Sequence, residues 1–95
     1  MNLHNDYREE TIMTVLMVQQ LVGKKGFWGA IRFLLSDEQI SNFNEMTVYL
    51  LISKVGLSAV LVILSWIPND IKNEFSKNCI LVNGYPNITL LSSLS

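Results

Sequence analysis

The sequence predicts a small all-α domain of four or five helices around a central apolar helix at about 59–67. Three observations predict it. The run from Met46 to Ile67, MTVYLLISKVGLSAVLVILSWI, is almost wholly apolar, carries one charge at Lys54 and is closed by Pro68. Stretches with helical spacing of apolar residues flank it on both sides. Capping and turn residues divide those stretches into pieces of helix length.

The central run has two readings. At about 20 apolar residues it is long enough for a membrane span, with Tyr49 and Trp66 near its ends like interfacial aromatics. It holds twelve Leu, Ile and Val residues, each worth roughly −0.3 to −0.6 kcal/mol near the centre of a span. Lys54 opposes them with about +2.5 to +3.5 kcal/mol at depth, and serines, Thr47 and Gly56 subtract further, so insertion is marginal. The second reading breaks the run at Gly56, because glycine ends helices without a Cβ clash. Ser58 then caps a short helix, AVLVILSWI, apolar on nearly every side and therefore covered by other helices. The sequence favours the broken run. Lys54 then lies in the last turn of a helix, its stem reaching past apolar neighbours to water.

The 95 residues suffice for one domain, with 49% hydrophobic residues and a net charge of −1. A mean hydropathy of +0.31 is high for a small domain. Such chains often hide the surplus apolar surface in an oligomer or against a partner. Near-neutral charge leaves no electrostatic footprint for nucleic acid. The single cysteine, Cys79, excludes an intramolecular disulfide and a thiolate-rich metal site. The polar, acidic opening MNLHNDYREE is unlike a secretory signal. A cytoplasmic location is the expectation, with a single-pass membrane protein as the alternative.

In order along the chain, residues 1–6 read as a loose tail. Asn5 or Asp6 can cap a first helix, with Glu9 and Glu10 in its first turn. That helix runs to Gly23. Its narrow polar face is Thr11, Thr14 and the glutamines, and Met13 and Met17 offer an adaptable docking surface or simply fill the core. Gly23-Lys24-Lys25-Gly26 is a turn that lacks phosphate-loop spacing. Phe27 to Leu35 forms a second helix, and Phe27 and Trp28 join Met13 and Met17 as candidate partner-binding residues. Gly29 allows a close approach of another backbone. Ser36, with Gln39 three residues on, reads as a capping box opening a helix from Asp37 to about Val55. Asn69 caps a final short helix with Ile71 and Phe75 on one ridge. The domain is expected to end near 78. Residues 79–95 are then an extension, either a hairpin turning at Asn83-Gly84 or a partly ordered tail. Pro86 confines the second strand to an edge. Asn87-Ile88-Thr89 fits the short N-glycosylation pattern.

The chemistry on offer is sparse. His4 is the only histidine and falls in the expected tail, which leaves a serine or cysteine nucleophile without an ordered base. The carboxylate pairs Asp37 with Glu38 and Asp70 with Glu74 are accounted for by helix starts and a solvated face. No catalytic residue, cofactor or metal is expected. The expected function is a non-enzymatic regulator, inhibitor or adaptor that binds another protein, or a second copy of itself, through a helix face. The alternative is a single-span membrane protein with 46–67 in the bilayer, acting in a pore or as an accessory subunit. Lys24, Lys25 and Arg32 against Lys72 and Lys77 would then put the N-terminal side inside, by a slight margin.

Overall fold

A computed structural model of the chain describes the backbone of residues 3–40 and 43–94, and the side chains of 11–38 and 43–94. Among these the fold is all-α with one small hairpin. Helix α1 spans Leu3–Leu34, α2 is the single turn Asp37–Ile40, α3 spans Glu45–Val55 and α4 spans Leu57–Leu64. Helix α5 spans Asn69–Lys77, strands β1 and β2 are Leu81–Val82 and Tyr85–Pro86, and α6 spans Ile88–Leu94. Helix α1 packs chiefly on α4, and α3 packs on both.

Gly56 breaks the central run as expected. It sits at φ 88°, ψ 161°, a region essentially confined to glycine, and its N–H donates to the Ile52 carbonyl that closes α3. The run is therefore two helices of eleven and eight residues. Among the described residues no helix is long and apolar enough to cross a membrane. Helix α4 supplies Ala59, Val60, Ile63 and Leu64 to the core, whereas Leu57, Leu61 and Val62 are only partly covered. Its N-cap is Gly56, with no side-chain bond, so Ser58 does not cap it. It stops at Leu64, short of the expected Ile67, although Ile67 remains buried.

Other boundaries differ from expectation for identifiable reasons. Helix α1 begins at Leu3, inside the stretch expected to be loose, so Asn5 and Asp6 are not caps. It also runs through Gly23 and is interrupted at Gly26, where φ is 76° and ψ −178°, so residues 27–34 form a second helical arm, close to the helix expected over Phe27 to Leu35. Either glycine could have broken the helix, and the kink at Gly26 lets Phe27, Ala30, Ile31 and Leu34 turn into the core. Across this kink a Cβ on Gly29 would lie 2.6 Å from Lys25 Cβ, so the close approach expected there is made by the same helix. The helix expected over 37–55 is divided into α2 and α3, and α3 opens with its own capping box, Asn44 and Thr47. The capping box expected of Ser36 and Gln39 involves the Gln39 side chain, which lies outside the described ones. Helix α5 follows Pro68 as N-cap, without a bond from Asn69.

At the other end of α5 the Cys79 N–H donates to Ser76 O and the Ile80 N–H to Phe75 O, at 3.2 and 2.9 Å. Cys79 takes the left-handed φ of 62°, completing a Schellman motif. Its accompanying apolar contact is the buried pair Phe75 and Ile80. The hairpin forms at Asn83-Gly84, where both residues have positive φ, as a two-residue primed turn requires. Leu81 pairs with Pro86 and Val82 with Tyr85. Beyond it lies α6 in place of a partly ordered tail. Asn87 caps it: its Oδ1 accepts from Leu90 N–H at 3.2 Å, and its Nδ2 donates to Cys79 O at 2.9 Å. Ile80, Leu81 and Leu91 of this segment lie in the same buried hydrophobic cluster as the helices before it.

Candidate functional site

Helix α1 before its kink carries two apolar faces. Val15, Val18 and Val22, at helical spacing, turn inward, and Val18 and Val22 are fully buried. Thr11 and Thr14 share the inward side and are half-buried. The opposite face carries Ile12, Met13, Leu16 and Met17, which are 56%, 66%, 48% and 45% exposed. Of the expected polar face, the glutamines Gln19 and Gln20 are exposed, whereas the threonines lie on the inward side. One helical turn separates Ile12 from Leu16 and Met13 from Met17, so the four make one continuous stripe. Gln19, Gln20 and Lys24 continue the exposed side towards the kink.

Two of the four residues expected to bind a partner thus stand on an open surface, and two do not. Phe27 is buried and Trp28 half-buried in an aromatic cluster. Their rings meet edge-on with centroids 5.1 Å apart, and each meets Phe43 at 5.3 and 5.5 Å. Phe43 in turn stacks on Phe75 at 5.0 Å. The cluster ties the second arm of α1 to the α2–α3 link and to α5, a packing role. Ile12 and Leu16 are the surface residues that the sequence reading did not single out. Two apolar stripes on one helix have similar periodicity, and periodicity alone does not say which stripe meets the core. The valine register at 15, 18 and 22 is the signal that separates them.

A cleft of about 790 Å³ opens where α1 passes the α3–α4 corner, lined by Thr11, Thr14, Tyr49, Lys54, Gly56 and Leu94 among others. Its polar groups are largely engaged locally: the Ser53 hydroxyl donates to Tyr49 O at 3.0 Å. Lys54 is exposed at its edge, as its place in the last turn of α3 implies. Among the described residues no group of His, Cys, Asp and Glu side chains is placed to hold a metal ion. The side chain of His4 lies outside the described ones. The glycosylation-pattern residue Asn87 spends both ends of its amide on capping α6 and holding Cys79.

These features define a small all-α domain with an uncovered apolar helix face. No protein-family description matches the chain, and no curated protein or solved structure is detectably similar to it.

Proposed function

We propose that this protein is a small, non-enzymatic binding module, a regulator, inhibitor or adaptor that engages a protein through the outward face of α1. One observation carries the reading. The stripe Ile12, Met13, Leu16 and Met17 is exposed although the same helix already supplies the core from its other face. Isolated exposed apolar residues are ordinary, but a contiguous set of four on one helix marks an interaction surface. Two methionines in it suit a partner groove of irregular shape. A cytoplasmic location belongs to the same reading. The division of 46–67 at Gly56 favours it over a single-span protein, because neither resulting helix has the length a bilayer demands.

The test is site-specific photocrosslinking of the full chain in living cells. A photoreactive side chain at Met13 or Met17 is expected to give a discrete adduct heavier than the 10.8 kDa chain. The same group at exposed Ser76 on α5 gives none, and Leu16→Glu abolishes the adducts from α1. Equal labelling at the three positions, or none at any, overturns the reading.

A further inference from the structure

We infer that the occupant of the α1 stripe is a second copy of this chain, lying antiparallel along it. The inference rests on the helix-face reading above and names its partner. Two features of α1 select an antiparallel twin. The first is charge. Residues 6–10, DYREE, hold three carboxylates against one arginine, whereas Lys24, in helical phase with Met17 and Gln20, stands beyond the other end of the stripe. Parallel copies would set like charges side by side. Antiparallel copies bring the acidic segment of one helix beside the basic end of the other, twice over by symmetry, as a twofold interface requires. In that arrangement Met13 of one copy meets Met17 of the other, and Asp6 to Glu10 run beside Gln20 and Lys24.

The second feature is area. Four large side chains about half exposed present on the order of 400 Å² of apolar surface, the size of the largest patch on a typical monomer. Two such patches face to face, with the flanking glutamine and lysine stems, approach roughly 1,000 Å², the lower limit for a specific association. A reversible dimer follows. The inward valines keep each α1 fixed to its own body, so two preformed rods associate without a folding step.

Sedimentation equilibrium of the full chain across a concentration series tests this. The expected result is a reversible monomer–dimer equilibrium at one and two times 10.8 kDa. Met13→Gln with Met17→Gln should weaken it at least tenfold while circular dichroism and melting stay those of the parent. Lys24→Glu, and separately Glu9→Lys with Glu10→Lys, should each weaken it. An equimolar mixture of those two variants should restore dimerisation, because opposite charges again face each other. A parent that stays monomeric at several hundred micromolar, yet crosslinks from Met13 to a different protein, overturns the self-pairing and leaves the helix-face function standing. Monomeric chains that crosslink to nothing sink both. A dimer indifferent to the methionine and charge variants overturns the inference by placing the contact elsewhere. Stripe-dependent binding of the monomer to phospholipid vesicles also overturns it, in favour of a lipid surface.

Discussion

Asn44 and Thr47 satisfy each other's backbone. The Thr47 N–H donates to Asn44 Oδ1 at 3.3 Å, and the Asn44 N–H donates to Thr47 Oγ1 at 3.2 Å. Asn44 Oδ1 also accepts from the Met46 N–H at 3.0 Å. A helix start leaves its first N–H groups unpaired, and this pair answers three donors around the first turn of α3. Asn44→Ala should therefore lower stability by about 1 kcal/mol, within the range of roughly 0.5–2 found for such caps. Ser36→Ala should cost less, because the element it precedes is a four-residue turn while Asn44 starts an eleven-residue helix. Urea unfolding of the two variants checks the order. Equal losses would show that α2 and α3 act as one helical unit.

Helix α4 contributes its buried side chains unevenly. Ile63 and Leu64 are essentially inaccessible, whereas Leu61 is only partly covered. Leu64→Ala and Ile63→Ala should each cost about 2–5 kcal/mol, a large share of the stability of a domain this size. Leu61→Ala should cost clearly less, because part of its surface is already wet and its removal leaves a dent, not a closed cavity. Thermal melts give the ranking directly. A Leu61 variant as unstable as the Leu64 variant would mean that Leu61 is covered in solution, as it would be in an assembly.

Much of this fold was legible because it rests on local chemistry. Gly56 divided the apolar run, Asn83-Gly84 turned the hairpin, and Phe75 lay on the inward ridge of α5. The misreadings arose where two residues offered the same local signal and packing chose between them. Gly23 and Gly26 could each end the first helix, and Gly26 prevailed because the kink there aims Phe27 and Ile31 at the core. Ser36 does precede a helical turn, α2, but the expected helix is divided there, and its longer part opens at the Asn44–Thr47 pair. Helix α6 escaped notice because its seven residues are too few to show periodicity, and its anchor is a contact back to Cys79. The candidate surface was half legible. Met13 and Met17 stood out by type, but the outward rotation of α1 depends on where the valines pack.

Asn87 holds the C-terminal segment by both ends of one amide. Replacing it with alanine removes the acceptor for the Leu90 N–H and the donor to Cys79 O together. The expected loss is about 1–2 kcal/mol, a cap plus a tertiary hydrogen bond. Asn87→Asp should keep the cap and lose only the second contact, since a carboxylate accepts but cannot donate. Hydrogen exchange separates the two effects. In the alanine variant the amides of 90–94 should lose protection, while in the aspartate variant they should largely retain it. Unchanged exchange in both would show that burial of Leu91 alone secures α6.

Gly23 and Gly26 should respond to alanine with opposite signs. Gly23 lies within α1 with helical backbone and no atom within 4 Å of where a Cβ would stand. Gly23→Ala therefore adds helix propensity without a clash and should stabilise by about 0.5–1 kcal/mol. Gly26 also has open space around it, but its φ is +76°. The cost of Gly26→Ala is then conformational, about 1–3 kcal/mol for a side chain forced into a glycine region. Gly56, at φ +88° and equally open, should behave as Gly26 does. Lys54→Leu, two residues before it, should be nearly silent, because that side chain is exposed. Chemical denaturation of the four single variants tests the set. If Gly26→Ala matched Gly23→Ala, α1 would be a continuous rod, and the inward turn of Phe27 and Ile31 would need another cause.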